Sequence, residues 1–195
     1  LYSLVDMIVV GQFVGSYGLS AVSVASQIFT FMTMVCLGFS NGGQVLIAQL
    51  IGAGRREKLN SAIGSLFSMV MIMGIVITII GLVFGKSVLT LMNTPSESFA
   101  MAEDYVLVCS IGVIFTYGYN MVSAVLRGMG DSRHPFIFVM IASIINVVLD
   151  LLFVGVFKWS VAGAALATIL GQAFSFIYAI IYLYHNRESF GFDFK

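Results

Sequence analysis

Charge is what this sequence has least of. Only 9% of its 195 residues are Asp, Glu, Lys or Arg, where an ordinary soluble domain carries roughly 25%. No charged residue lies between Asp6 and Arg55, between Lys58 and Lys86, between Asp104 and Arg127, or between Lys158 and Arg187. Each gap can hold the ~20 apolar residues of helix that cross a bilayer. With 59% hydrophobic residues and a mean hydropathy of +1.04, the chain takes lipid as its solvent. Net charge is zero, so no basic surface points to a nucleic-acid partner. A membrane β-barrel is excluded as well, because stretches such as 65–84 are apolar on every face rather than alternating.

Reactive groups are equally scarce. The two cysteines, Cys36 and Cys109, fall inside apolar spans and read as small buried side chains. No Cys/His cluster has zinc spacing, and the two histidines, His134 and His185, sit at span boundaries where a solvated role is expected. No Ser, His and Asp are arranged as a nucleophile with its base. The run Gly81-Leu82-Val83-Phe84-Gly85-Lys86-Ser87 imitates a phosphate loop but is one residue short of its spacing. Gly81/Gly85 and Gly11/Gly15 read instead as small-xxx-small packing faces. The chemistry to expect is ion binding, not bond breaking, with no enzyme activity and no cofactor.

What remains is a series of apolar spans. Breaks at Gly, Pro and charge clusters predict six, at roughly 1–15, 19–50, 60–85, 100–126, 135–157 and 160–184. The first is shorter than a spanning helix needs, so it is expected to be truncated and the sequence to be a fragment. Arg55, Arg56 and Lys58, then Arg127 and Arg133, then Arg187 and Lys195 fall on one side, against Lys86 and Lys158 on the other. That bias places the 55–58, 127–133 and 187–195 segments in the cytoplasm. Trp159 and Tyr17 mark the outer edge and Tyr182 and Tyr184 the inner one.

The first two spans resemble the last two. Asp6 precedes Gly11 by five residues as Asp150 precedes Gly155, and Gly18 precedes Gln27 and Phe29 as Gly163 precedes Gln172 and Phe174, with one residue inserted. Such parallel duplications occur in transporter lobes. Within it lie the only two ionisable residues well inside spans, Asp6 and Asp150. A carboxylate there costs ~2.5–3.5 kcal/mol on insertion scales and marks a functional position by default.

At ~1.5 Å per residue both acids lie ~12–13 Å from the same membrane face. Ser143, Asn146 and Asp150 form one polar stripe on the fifth span, which must face protein or water. Thr168 reaches the same level on the sixth span, and Asn120 comes near the height of Asn146 on the fourth. Provided the helices pack with these faces inward, Asp6, Asn120, Asn146, Asp150 and Thr168 converge. Their oxygens suit a hard cation, and the two nearby carboxylates suit a proton.

The run Val5-Asp6-Met7-Ile8-Val9-Val10-Gly11 with Gly15, the exit Ala48-Gln49-Leu50-Ile51-Gly52-Ala53-Gly54, the loop Leu126-Arg127-Gly128-Met129-Gly130-Asp131-Ser132 and the run Asn146-Val147-Val148-Leu149-Asp150 occur in this order. Together they resemble the MATE (multidrug and toxic compound extrusion) transporters over nearly the whole chain. The last run is similar to the DinF-type branch. The resemblance implies an all-α polytopic membrane protein, with residues 1–195 forming the six-helix N-terminal lobe of a two-lobed exporter and the C-terminal lobe lying outside this sequence. It implies exchange of drug-like, often cationic or amphipathic molecules for H⁺ or Na⁺ across the plasma or inner membrane. By motif position it makes Asp6, Asn120, Asn146, Asp150 and Thr168 the cation-linked residues, with no metal beyond Na⁺. It also places a site tyrosine at Tyr105, near the outer end of the fourth span. A lipid-linked saccharide flippase of the same superfamily is the alternative, although every Lys and Arg lies at a span end. A channel or non-transporting membrane subunit would not require two acids at one depth.

Overall fold

Apolar surroundings oblige every backbone N–H and C=O to find a partner within the chain, and a run of helices meets that demand. The computed structural model describes residues 2–186, which are helical throughout except for short connections and contain no strand. The elements are α1 (Tyr2–Phe13), α2 (Ser16–Gly52), a 3₁₀ turn at Arg56–Lys58, α3 (Leu59–Leu91), α4 (Ser96–Gly128), α5 (Arg133–Asp150) and α6 (Ser160–His185). A π-helical turn, Leu151–Val156, continues α5. The basic 187–195 segment lies outside the described residues. Among the described residues, five helices, counting α5 with its π turn, are long and apolar enough to cross a membrane.

Several helices outrun the spans expected of them. Lys86 does not end α3, because its ammonium reaches Glu103 on α4 at 3.3 Å and the helix continues to Leu91. α4 starts directly after Pro95, so residues 96–99, Glu97 among them, are helix although they lie before the 100–126 span expected. At 33 residues, α4 is about 50 Å long and projects beyond the ~30 Å hydrocarbon core.

α4 is the axis of the lobe, packing against α2, α3 and α6. In the most apolar stretch of each helix, 44% of α4 and 50% of α6 is buried, against 22% of α3. α3 is therefore the most exposed of the long helices within the lobe. Its Gly81 and Gly85 seat it on α4: a Cβ at Gly81 would lie 2.3 Å from Ser110 Oγ, and one at Gly85 2.8 Å from Val106 Cγ1. Gly11 and Gly15 do not form the matching face expected of them. A Cβ at Gly11 would meet only Leu19 at 3.8 Å, and Gly15 makes the α1–α2 turn at φ +92°, a conformation that side chains resist.

Candidate functional site

Five polar side chains from four helices meet in the lobe interior: Asp6 from α1, Tyr105 from α4, Asn146 and Asp150 from α5, and Thr168 from α6. Asp6, Asn146 and Asp150 are 0% exposed, Tyr105 1% and Thr168 2%. The approach of α5 to α6 depends on Gly171, where a Cβ would lie 3.0 Å from the Ala142 carbonyl oxygen and 3.5 Å from Asn146 Cβ. That crossing brings Asn146 beside Thr168.

Asp6 is the acceptor at the centre. Its Oδ2 receives the Tyr105 hydroxyl at 2.9 Å, and the Thr168 hydroxyl points at both carboxylate oxygens, 3.2 Å from Oδ1 and 3.0 Å from Oδ2. The Asn146 amide donates to Asp6 Oδ1 at 3.4 Å and to Thr168 Oγ1 at 3.1 Å. Asp150 differs. Its carboxyl is close enough to that of Asp6 for the two to interact, yet neither of its oxygens has a hydrogen-bond partner. Asn146 Oδ1 is also buried and unpartnered.

The ion pairs among the described residues, Lys86 with Glu103 and His134 with Asp131, lie elsewhere. Two buried carboxyls in contact cannot both hold a negative charge without a counter-charge between them. A proton shared by the pair supplies it, and so does a hard cation taken up by the carboxylate, amide and hydroxyl oxygens. No group of three His, Cys, Asp or Glu side chains forms a metal site among the described residues. Carboxylate, amide and hydroxyl oxygens, with no sulfur or imidazole among them, are donors of the kind that suits a proton or a hard cation.

Tyr105 and Thr168 also line a cavity of about 410 Å³, shared with Thr116, Asn120, Arg127 and Gln172. Asn120 belongs to this cavity rather than to the carboxyl cluster, since its amide donates to its own helix at the Thr116 carbonyl, 2.8 Å away. Ser143 joins neither. Its hydroxyl donates to the Val139 carbonyl at 2.8 Å, one turn back on α5, a local bond open to any helical serine. The structure adds Gln172, which is 5% exposed with an unpartnered buried Oε1. Its sequence signals are its place in the repeat opposite Gln27 and its position one turn after Thr168.

A second cluster closes the basic end of the lobe, where His134 is not the solvated residue its boundary position suggests. Its Nδ1 lies 2.7 Å from Asp131 Oδ2 and 2.8 Å from the Tyr182 hydroxyl, which itself donates to Asp131 Oδ2 at 3.0 Å. The His134 ring stacks on Tyr182 with centroids 4.1 Å apart. Because a carboxylate only accepts, the Nδ1 facing it must carry the proton. Burial acts to raise the Asp131 carboxyl, but hydrogen bonds from the His134 backbone and ring and from Tyr182 hold it below the usual carboxylate value.

Known proteins share both the sequence and this arrangement of helices. The MatE family model matches residues 1–152. The probable multidrug resistance protein YpnP of Bacillus subtilis (strain 168) is 31% identical over 186 residues, covering 95% of this chain and 42% of that protein. The multidrug export protein MepA of Staphylococcus haemolyticus (strain JCSC1435) is 24% identical over 197 residues, covering 100% of this chain and 43% of that protein. A crystal structure of MATE in the bent conformation superposes with a TM-score of 0.93 at 28% identity, covering 97% of this chain and 42% of the other. The chain thus spans less than half the length of the relatives it matches and corresponds to one lobe of them. With a family model extending over most of its residues and a multi-pass helical fold to match, the chain belongs to the MatE family.

Proposed function

We propose that the full-length protein carrying this lobe is a cation-coupled antiporter, exporting drug-like, often cationic or amphipathic compounds in exchange for H⁺ or Na⁺. The observation that carries this reading is the buried Asp6–Asp150 pair, in which one acid is held by three donors and the other accepts none. An inward-moving cation entering between them would satisfy the free Asp150 oxygens and the Asn146 carbonyl oxygen together. The adjoining cavity shares Tyr105 and Thr168 with the pair, so cation and cargo would bias one another through common residues. A coupling of 1.4 kcal/mol, about tenfold in affinity, lies within the usual range for linked sites. The C-terminal lobe would complete the cargo path, and relatives named for multidrug resistance and export support the cargo class.

The test is Asp150→Asn in the full-length protein, with drug efflux measured at matched expression and a fluorescent cationic drug titrated at several pH values and Na⁺ concentrations. Efflux should fall at least tenfold while drug affinity loses its dependence on the coupling ion. Unchanged efflux, or a wild-type affinity indifferent to both ions, would place the coupling outside this pair. Arg127 favours a second reading. It lines the cavity with its Nε donating to Gln44 Oε1 at 3.0 Å, a cation suited to an anionic lipid-linked headgroup and thus to a flippase. Lipid-linked saccharide movement in vesicles, lost in Arg127→Gln, would favour it over drug export.

A further inference from the structure

The seam between α2 and α3 opens into a groove toward each end of the lobe, and the two differ in charge. The groove near the α3 C-terminus, about 420 Å³, is lined by apolar side chains such as Phe31, Ile77, Ile80 and Phe84. Lys86, the basic residue on that part of α3, is paired with Glu103. The groove at the basic end, about 520 Å³, is lined by Leu46, Leu50, Lys58, Ser61, Ser65 and Met69, with Ala62 and Leu66. Its space comes from α3, whose small side chains at positions 61, 62 and 65 face the leucines of α2.

Lys58 stands at the mouth of this groove, with Arg55 three residues earlier on the same connection. Both are exposed, and among the described residues neither forms an ion pair. From Lys58 to Met69 the groove follows α3 for about 16 Å, half of the ~30 Å hydrocarbon core. It therefore offers one leaflet's depth of apolar wall below a pair of free cations, on the face that the charge bias reads as cytoplasmic.

We propose that this groove is a binding site for an anionic phospholipid of the inner leaflet. The phosphate sits at Lys58 and Arg55, the Ser61 hydroxyl lies at the level of the glycerol esters, and one acyl chain runs over Leu46, Leu50, Leu66 and Met69. The outer groove lacks an unpaired cation at its mouth and has no comparable claim to an anionic headgroup. A lipid seated here would hold α3, the least buried of the long helices, against α2. This site is independent of the carboxyl pair and stands or falls separately from the transport reading.

The experiment uses delipidated full-length protein in detergent, titrated with phosphatidylglycerol or phosphatidylcholine and read by native mass spectrometry. Retention of one phosphatidylglycerol about tenfold more tightly than phosphatidylcholine is expected. Lys58→Gln and Arg55→Gln should each weaken it about fivefold, the effect of one basic residue near an anionic surface. Ser65→Leu, which fills the groove, should weaken both lipids. Should that variant misfold, the two surface substitutions decide alone. Equal retention of the two lipids, or a phosphatidylglycerol preference that survives the Lys58→Gln/Arg55→Gln double substitution, would overturn the proposal. So would displacement of the lipid by millimolar inorganic phosphate, which would make the basic end a site for the free anion instead.

Discussion

Asp6 on α1 and Asp150 on α5 stand at corresponding places in two similar helix pairs, yet Asp6 accepts from Tyr105, Thr168 and Asn146 while Asp150 accepts from no donor. The contrast extends along the pairs. Gln27 on α2 is exposed with its amide bonded to the Ser23 carbonyl at 3.2 Å, whereas Gln172 on α6 is buried beside the cavity with its Oε1 unpartnered. α5 passes into a π turn immediately after Asp150, with Phe157 N–H reaching the Leu152 carbonyl at 2.9 Å. A π turn winds more residues than an α turn, and this one leads into the Gly155–Gly163 stretch in which the α5–α6 half carries one residue more than Gly11–Gly18. The difference between the halves is one of role. α1 contributes an acid fixed in place, and α5–α6 leave acceptors free for a ligand.

The largest expected effect tests that difference directly. Asp6→Ala strands the Tyr105 and Thr168 hydroxyls in an apolar interior, while the Asn146 amide keeps Thr168, and an unmet buried group costs about 1–3 kcal/mol, so a stability loss of about 3 kcal/mol is expected in thermal melts of the purified protein. Asp150→Ala strands none. It should change stability by less than about 1 kcal/mol, or raise it, because an uncompensated buried carboxyl is itself unfavourable. Equal losses in the two variants would break the comparison.

A smaller effect belongs to Tyr105. Tyr105→Phe keeps the packed ring and removes only the hydroxyl that Asp6 Oδ2 accepts at 2.9 Å, so about 1–2 kcal/mol should be lost. In the Asp6→Ala background the same substitution should cost nearly nothing, and the double-mutant cycle reads the difference. Additive losses would mean that Tyr105 acts through its packing.

Gly171→Ala should cost about 1 kcal/mol, because the new methyl meets the Ala142 carbonyl and α6 must move away from α5. The Asn146–Thr168 bond would lengthen with it, so coupling-ion affinity should fall as well. Gly38→Ala is the control, since a Cβ there meets nothing within 4 Å. A neutral Gly171→Ala would show that the two helices have room to spare.

The acids were legible in the sequence because a lone charge in a long apolar run has few explanations other than a polar site, and six spans followed from the same scarcity. Tyr105 was harder to place. The expected span began at residue 100, which put the tyrosine near its outer end, whereas the helix starts at Ser96 and buries Tyr105 among the acids. Spacing grouped Ser143 with Asn146 and Asp150, but it could not show that the serine hydroxyl turns back to Val139. Height along the helix likewise could not show that the Asn120 amide bonds to its own helix. Gln172 escaped because an amide in a helix carries no charge to set it apart, and the pairing of His134 with Tyr182 depends on helices 48 residues apart in sequence.

The smallest effect concerns the basic end, where Asp131 provides a counterpart to the interior pair: a carboxylate with its donors, outside the apolar spans. Its folded value lies below the ordinary carboxylate value because His134 and Tyr182 donate to the charged form, outweighing its burial. A group depressed on folding adds stability that is fully present above its unfolded pKa, about 3.9 for Asp, and that is lost as pH falls through the folded value. The cluster should therefore hold the α4–α5 connection to α6 at neutral pH and loosen in acid. The contribution should be below about 1 kcal/mol, as for other partly exposed pairs. Melting the wild-type protein and Asp131→Asn from about pH 3 to about pH 6 isolates it, since the variant lacks the titrating group. The difference between the two should shrink toward the acid end, and Tyr182→Phe should show a reduced version of the same slope. A difference constant across the range would mean that Asp131 supports the connection by shape alone, leaving the Asp6–Asp150 pair as the place to look for pH-dependent stability.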